Sequence, residues 1–385
     1  MYNGIEVDLL SLGDADCIVV TRWHESYPHR ILIDGGSGAD AEVIVDFLRR
    51  RNYTNFWAVL CTHLHNDHAR GLVKIVRDKR IAIHNGWMHD IRKHVGADAL
   101  RRAGVASDGV KEVVEATEEL TSAFLVRGLV PREPFAGTSA GSVIAGYPLA
   151  MVLGPSLPYY RRVIEQFTEV QLPAAIPALS VLARLAGTVP PVVPSGLGDL
   201  AFPFRMFNGK LSALLPTPPS GRSTVIPPPL FGALNQSSVK VNPRTQPYNN
   251  TSVILGVDFN GDKLLFTADA GSDALSSVGA DWNRLLYMGV PHHGSDGNLS
   301  QKDIERFLPR WAFISAKGDS SHPSRAIVSG LVKVGTKVAS THQSGHLWFY
   351  SGTVPARPDY GPVELMKGTG SPEPVADWMK VLSGV

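Results

Sequence analysis

The sequence is poor in cysteine, in long apolar runs and in net charge. Its only two cysteines, Cys17 and Cys61, lie within or beside apolar runs, and we expect buried free thiols of a cytoplasmic protein rather than a disulfide framework. No uninterrupted apolar stretch approaches the roughly 20 residues that a membrane helix needs, so no membrane span is expected. The N-terminus shows no basic leader before an apolar run, and no signal peptide is expected. The 37 basic and 35 acidic residues leave a formal net charge of +2, so no global field attracts nucleic acid.

The histidines, by contrast, are concentrated in one short segment. Residues 61–71 read CTHLHNDHARG and place His63, His65, Asp67 and His68 within six positions, directly behind an apolar, aromatic-rich run. Imidazole and carboxylate groups suit divalent zinc, manganese or iron, and close spacing in a turn lets them face one point. The first two histidines stand two positions apart, so an extended stretch puts them on one side, and the later pair could serve a second ion. The segment predicts a metal site.

The first part of the chain has an α/β pattern. Short apolar runs at 5–10 and 17–21, separated by turns, predict strands, and residues 40–51 show helical spacing. A buried strand is predicted at 57–60, with the metal motif at its C-terminal end, and the apolar residues from Leu72 onward indicate a helix that starts just after the motif. Strand, ligand turn and helix in this order are typical of α/β proteins whose sites lie at strand ends.

Composition changes in the middle of the chain. Residues 95–126 carry two helical patterns, and prolines and glycines crowd 128–246, where long helices and interior strands are not expected. We predict a catalytic domain formed by 1–95 and 245–360, with 96–244 as a helical and then Pro/Gly-rich insertion that could act as a lid. The alternative is that half of the Pro/Gly-rich region is a flexible linker.

Regular patterning resumes at Thr251. The Asn-Gly pair at 260–261 predicts a hairpin turn. Ser300 and Asp303 approximate a capping box, and Pro323 suits a first helical position, so each marks the start of a helix. Further strands are predicted at 285–290, 311–315, 337–340 and 347–350.

Three distal groups could complete a two-metal centre. Asp269 ends an apolar strand, and its two carboxylate oxygens could bridge two cations, although a lone aspartate there is more often a turn or cap residue. His292 and His293 end another strand, and Gly294 permits a sharp turn after them. His322 precedes a predicted helix, where helix-end amides and an imidazole could bind phosphate; alone it could equally be a surface cap.

Together these groups resemble a known family. The segment His63–His68 resembles the HxHxDH signature of the metallo-β-lactamase superfamily. The order of the other groups resembles the hydrolase domain of ComEC, the DNA-uptake channel of competence, over roughly residues 5–95 and 245–350. Its opening motif, DVGQGDA, is similar to Asp8–Asp16, and the strand and turn that follow it are similar to Ile31–Gly36. Its NNxS motif is similar to Asn249–Ser252, and its TGD motif to Thr267–Asp269, with alanine for glycine. Its PHHGS and HPS motifs are similar to Pro291–Ser295 and His322–Ser324.

The resemblance implies the fold and the ligand set. The fold would be the αββα four-layer sandwich of two mixed sheets flanked by helices. Two divalent ions, Zn or Mn, would lie roughly 3.5–4 Å apart and lower the pKa of a shared water. His63 and His65 would hold one ion, with Asp269 bridging to the other. The second ion would be held by Asp67, His68 and one of His292 and His293, of which His293 is favoured because Gly294 follows it.

One departure from the wider superfamily affects the first ion. Most members supply another histidine between the first motif and the bridging aspartate, whereas here none lies between His94 and His292. Asn249 and Asn250 occupy that place. The ion at His63 and His65 is therefore expected to have fewer protein ligands and more open coordination, as a catalytic metal needs.

The predicted function is that of a phosphodiesterase or nuclease acting on DNA or a nucleotide. Asp67 and His292 are predicted catalytic residues, the latter contacting substrate or protonating the leaving oxygen, while Asn250 and His322 would orient a phosphate. A small ester, lactone or choline phosphate is the alternative substrate, and a non-catalytic binding module is a third reading. Basic residues that could contact DNA, or that could simply be solvated helix faces, follow the motif: Arg70, Lys74, Arg77, Lys79, Arg80, Arg92 and Lys93. The sequence predicts no membrane partner and leaves the oligomeric state open.

Overall fold

The computed structural model describes residues 1–137, 150–168, 245–319, 321–361, 363–368 and 372–373. They lie within the unit formed by Met1–Leu172 and Val239–Val385. None of the helices described there combines the length and apolar character that a bilayer crossing requires. Most of the Pro/Gly-rich stretch lies outside the described residues, so its role as a lid stays a prediction.

Within the described residues, the strands form two mixed six-stranded sheets and two small two-stranded ones. In chain order they are β1 (Asn3–Leu9), β2 (Ile18–His24), β3 (Tyr27–Ile33), β4 (Asn55–Phe56), β5 (Ala58–Leu60), β6 (Ala82–Ile83), β7 (Gly86–Trp87), β8 (Ala150–Gly154), β9 (Ile254–Phe259), β10 (Asp262–Phe266), β11 (Tyr287–Gly289), β12 (Trp311–Ile314), β13 (Lys337–Ser340), β14 (Leu347–Thr353), β15 (Leu365–Met366) and β16 (Pro372–Glu373). The first large sheet has the order β14-β1-β2-β3-β5-β7, and the second β13-β12-β11-β10-β9-β8.

Both large sheets change from antiparallel to parallel pairing across their width. In the first sheet β14, β1, β2 and β3 pair antiparallel, while β3, β5 and β7 pair parallel. In the second sheet β8, β9 and β10 pair antiparallel, while β10 to β13 pair parallel. Parallel strands end at the same edge of a sheet, so the loops that follow them can meet there.

Alternation along the strands places one core between the two sheets. Ile5, Val7 and Leu9 of β1 point into the same apolar cluster as Leu264 and Phe266 of β10. Neighbouring residues of the same strands point to the opposite faces, because side chains alternate with a period of two. Each sheet therefore buries both of its faces, one against the other sheet and one against helices.

The helices cover the two outer faces. They are α1 (Ala41–Arg50), α2 (Asn66–Arg77), α3 (Ala97–Ala106), α4 (Asp108–Val126), α5 (Leu157–Thr168), α6 (Ser272–Leu275), α7 (Gln301–Phe307), α8 (Arg325–Lys333) and α9 (Thr341–Ser344). The first five supply the apolar cluster on the outside of the first sheet, and α6 to α8 supply the cluster outside the second. The predicted α/β architecture of two mixed sheets flanked by helices is confirmed.

Local signals in the sequence gave mixed results. The turn at Asn260 and Gly261 joins β9 to β10 with positive φ at both residues, as predicted. Ser300 caps α7, and the capping box with Asp303 is complete. The assignment of Pro323 to a first helical position is wrong, because the Ser324 hydroxyl accepts from the Ala326 amide and makes Ser324 the cap of α8.

The start of α2 also differs from the prediction. The helix begins at Asn66, inside the metal motif, and not after it. An acidic residue, Asp67, lies in the first turn, where a helix dipole favours negative charge. The Asn66 backbone amide, at the helix N-terminus, donates to Glu112 Oε1 of α4 at 3.0 Å. The motif is therefore split between a loop that carries His63 and His65 and a rigid helical turn that carries Asp67 and His68.

Candidate metal centre

The predicted ligands converge at the edge where strands of both sheets end. The loop after β5 carries His63 and His65, and the loop after β10 carries Asp269. A 3-10 turn at His292–Gly294 after β11 carries His293. Within the described part of the chain these side chains fall into two overlapping groups that share Asp269.

The first group consists of His63, His65 and Asp269. The two imidazoles approach through His63 Nε2 and His65 Nδ1, which are 3.1 Å apart. Asp269 Oδ2 lies 3.6 Å from the same His63 nitrogen. Two nitrogens and one oxygen directed at one point leave room for further ligands on a divalent ion.

The second group consists of Asp67, His68, Asp269 and His293. His68 Nε2 lies 3.3 Å from Asp269 Oδ1 and 3.6 Å from Asp67 Oδ2. His293 Nε2 lies 3.4 Å from the same Asp67 oxygen. Asp269 thus turns one oxygen to each group, which is the arrangement expected of a bridging carboxylate.

Two buried polar atoms at the centre indicate that a cation fits there. His68 Nε2 and Asp269 Oδ1 face each other at 3.3 Å without the geometry of a hydrogen bond, and neither has another partner among the residues that the structure describes. Both side chains are almost fully buried, and burying such atoms without a partner is costly. The donor set, imidazole nitrogen with carboxylate oxygen, is one that zinc and manganese accept, and a divalent ion would satisfy both atoms.

The outer nitrogens of three ligand histidines are held by protein groups. His68 Nδ1 lies 2.8 Å from Asp34 Oδ2, and His293 Nδ1 lies 3.0 Å from the Ser315 carbonyl oxygen. Because a carbonyl accepts only, as does an ionised carboxylate, both Nδ1 atoms carry hydrogen and both Nε2 lone pairs face the centre. His63 Nδ1 lies 3.3 Å from the Ser252 hydroxyl.

The electrostatic field at the centre attracts positive charge. Burial lowers the pKa of His68, but the three carboxylates around it outweigh burial and raise that pKa well above its ordinary value. Burial likewise lowers the pKa of His293, whereas its contact with Asp67 and the nearby acids raises it to about 9. The surrounding carboxylates thus favour positive charge at the point where the ligand geometry would place a cation.

The predicted substrate residues lie at the rim of the centre. His292 is partly exposed, with its Nε2 3.7 Å from Asp269 Oδ2. The His322 ring lies 5.6 Å from that of His292, and its Nδ1 is 3.3 Å from Asp14 Oδ2. Asn250 differs, since its Oδ1 accepts from the Gly271 amide at 3.0 Å and so supports the loop after Asp269.

Sequence reasoning missed several residues that support the ligands. Asp34 accepts from the Thr62 amide and hydroxyl as well as facing His68, and Asp16 lies 3.7 Å from His293 Nδ1. Asp34 directly follows β3, and Asp269 lies three residues after β10, so the position of an acid after an apolar strand was the available signal. Cys61 directs its thiol to the His63 carbonyl oxygen at 3.0 Å, away from the ligand groups.

The two-sheet sandwich and the histidine–aspartate centre at the strand ends together define the metallo-β-lactamase fold class. Residues 17–148 match the family model described as Metallo-beta-lactamase superfamily, about a third of the chain. The match identifies a metallo-β-lactamase superfamily domain and includes His63, His65, Asp67 and His68, whereas Asp269 and His293 lie beyond it.

Other comparisons add little. No curated protein matches the chain. One solved structure, from Thermotoga maritima and provisionally described as a metallo-β-lactamase, is 15% identical. It covers 44% of this chain and 81% of its own, with a TM-score of 0.22, and at that score the likeness carries no argument.

Proposed function

We propose that this protein is a binuclear metal-dependent hydrolase of phosphoesters, of the phosphodiesterase or nuclease class. The observation that carries the proposal is Asp269, which turns one oxygen to each of two ligand groups while its buried Oδ1 has no hydrogen-bond partner among the described residues. The superfamily match supports a metal-dependent hydrolase. The polar rim of His292 and His322 supports a substrate that offers several oxygen atoms.

Each residue of the centre has a defined part in this proposal. His63 and His65 would bind one cation, and Asp67, His68 and His293 the other. When bound, two divalent cations supply an activated water nucleophile and neutralise charge on the attacked group. Asp34 and the Ser315 carbonyl keep the ligand imidazoles in the orientation that binding needs.

His292 is the residue placed to handle the leaving group. Its Nδ1 contacts Asn298 Oδ1 at 2.9 Å, so its Nε2 is the nitrogen that faces the centre. Nε2 could take up a proton from the attacking water and pass it to the departing oxygen, and His322 beside it could bind a second substrate oxygen. Both rings are partly exposed, as groups that touch substrate must be.

The second candidate is hydrolysis of a small substrate, an ester, lactone or choline phosphate. Four of the seven basic residues after the motif pair with acidic residues, which leaves fewer of them for a DNA backbone: Arg70 with Glu119, Arg80 with Asp78, Arg92 with Asp90 and Lys93 with Glu133. In addition, Glu112 lies next to the start of α2. The negative charge of Glu112 beside the metal motif disfavours the binding of a polyanion there.

The test begins with metal content and a generic phosphodiester. Protein loaded with Zn or Mn should hold about two ions per chain and hydrolyse bis-p-nitrophenyl phosphate. Asp269→Ala and Asp67→Ala should lose hydrolysis, while Asp258→Ala, near the end of β9 where its carboxylate accepts from the Gly261 amide, should keep it. Loaded protein that is inert to phosphodiesters but cleaves lactones or carboxylic esters would contradict the proposal. Digestion of single-stranded DNA would separate a nuclease from a small-molecule enzyme.

A further inference from the structure

The Asn298 side chain connects two residues of the centre. It is almost fully buried, and it lies six residues after His292 in the loop that leads to α7. Its Nδ2 donates to the Asp269 carbonyl oxygen at 2.7 Å, and its Oδ1 lies 2.9 Å from His292 Nδ1. One amide therefore joins the backbone of the bridging carboxylate to the histidine at the rim.

These two contacts determine which nitrogen of His292 carries hydrogen. The Asp269 carbonyl oxygen can only accept, so the NH2 group of Asn298 must point to it. The amide oxygen must then face His292, and an oxygen accepts only. His292 Nδ1 consequently carries the hydrogen, and Nε2 of the neutral ring is left with its lone pair. Asn249 Nδ2, a donor, also faces His292 Nδ1, but at the longer distance of 3.4 Å, so the Asn298 oxygen is the closer partner of that nitrogen.

The orientation of the His292 ring requires a strained backbone at two successive residues. His292 and His293 both have positive φ, 48° and 55°, which is costly for residues with a side chain and persists only where the surroundings enforce it. Two successive residues in this conformation turn both imidazoles toward the centre. The His293 ring is held by the Ser315 carbonyl oxygen, and the His292 ring by Asn298.

We propose that Asn298 is a positioning residue that keeps His292 in the Nδ1–H form and so reserves Nε2 for the substrate side of the centre. The inference rests on the proposed function, because it assigns His292 to the substrate. The assignment of the hydrogen to His292 Nδ1 does not depend on catalysis, since the position of the hydrogen can be measured without any substrate.

The experiment is nitrogen-15 NMR of the histidine rings in the zinc-loaded, full-length protein. A His292→Gln spectrum identifies the His292 signals by their disappearance. In the wild type at a pH where the ring is neutral, the directly bonded hydrogen should be on Nδ1. Finding it on Nε2 would overturn the proposal, whatever the variants do.

Two substitutions separate the contacts of Asn298. Asn298→Asp keeps an oxygen that accepts from His292 and removes the donor to Asp269, so the Nδ1–H signal should persist. Asn298→Leu removes both, so the ring should become a mixture of tautomers. In that variant kcat on the phosphodiester should fall roughly 10–100-fold, the effect typical of lost outer-shell contacts, with KM and zinc content unchanged. The exposed Asn283→Leu is the matched control and should behave as the wild type.

The outcomes distinguish this proposal from the proposed function. If Asn298→Leu keeps a single Nδ1–H form, or loses zinc together with activity, Asn298 is a structural residue and the proposal fails. If Asn298→Leu does not fold, Asn298→Asp and the wild-type spectrum still decide the question. A wild type with the Nδ1–H form and two zinc ions but no phosphodiester hydrolysis would contradict the proposed function and leave the assignment of the hydrogen intact.

Discussion

At the scale of single residues, the centre depends on groups that do not themselves face the ion site. Asp34 is the clearest case, because one buried carboxylate accepts from the Thr62 amide, the Thr62 hydroxyl and His68 Nδ1. It therefore sets the shape of the loop before His63 and the orientation of the His68 ring at once. The acid also adds negative charge behind a ligand, which makes the imidazole a better donor to a cation.

Replacing Asp34 with asparagine should weaken metal binding. Asparagine has one oxygen, so it cannot accept from all three donors, and its NH2 group would face one of them. We expect the affinity for the ion at His68 to fall roughly 10–100-fold. Competition with a chelator measures this change. Asp258→Asn, near the end of β9, is the control, and equal affinities in the two variants would contradict the role given to Asp34.

His89 should make stability depend on pH. It is buried between Phe135 and Tyr160, with ring centroids at 4.5 and 4.6 Å, and burial lowers its pKa to about 4. Between pH 6.5 and about 4 the unfolded chain binds a proton that the folded chain does not. The contribution of neutral His89 to the free energy of unfolding is therefore complete above pH 6.5. It is lost as pH falls toward 4, by up to about 3 kcal/mol.

Urea unfolding of wild type and His89→Gln across this pH range tests the prediction. Glutamine keeps a donor for the Pro134 carbonyl oxygen but does not titrate, so the pH slope should be shallower in the variant. The exposed His84→Gln should retain the wild-type slope. Identical slopes for wild type and His89→Gln would show that His89 does not cause the effect.

At the scale of elements, a 3-10 segment at Pro247–Thr251 forms one wall of the centre. Its Tyr248 is buried, its ring centroid lies 5.2 Å from that of His65, and its hydroxyl contacts the backbone of Leu64. Phe167 of α5 packs against Tyr248, with 4.5 Å between the ring centroids. Because no hydrogen bond holds His65 Nε2 among the described residues, aromatic packing positions this ring.

Tyr248→Leu should therefore weaken the binding of one ion more than that of the other. Loss of the ring leaves His65 free to turn, and we expect roughly tenfold weaker binding of the ion at His63 and His65. A stepwise cobalt titration followed by visible absorption resolves the two ions. Tyr287→Phe, a buried tyrosine of the core between the sheets, is the matched control. An equal loss of affinity for both ions would mean that Tyr248 acts on the fold as a whole.

At the scale of the whole molecule, the centre joins the two halves of the sandwich. Its ligands come from loops that follow strands of both sheets, and Asp67 and His293 meet at 3.4 Å although 226 residues separate them in sequence. Asp16, Asp34, Asp67 and Asp269 bring four acids together at this junction. A cation that offsets their charge should hold the two sheets in place.

Removing metal should therefore destabilise the whole protein. An ion present at about 100 times its dissociation constant stabilises the folded state by about 2.7 kcal/mol, so chelation should lower Tm by several degrees, and added zinc should restore it. Differential scanning calorimetry with and without EDTA measures this shift. Asp269→Ala should show little response to EDTA, and a wild type that is equally insensitive would contradict the prediction.

The sequence by itself determined what depends on near neighbours in the chain. The alternation of β1 and β10, the Asn-Gly turn and the cap at Ser300 follow from local spacing and backbone preference, and so does the cluster from His63 to His68. The family resemblance named Asp269 and His293 as distant partners of that cluster, and the tertiary structure places them beside it. The placement of Asp34, Asn298 and Tyr248 around it depends on strand order, register and the packing of one sheet on the other. These are set by contacts between residues far apart in sequence, and no local pattern encodes them.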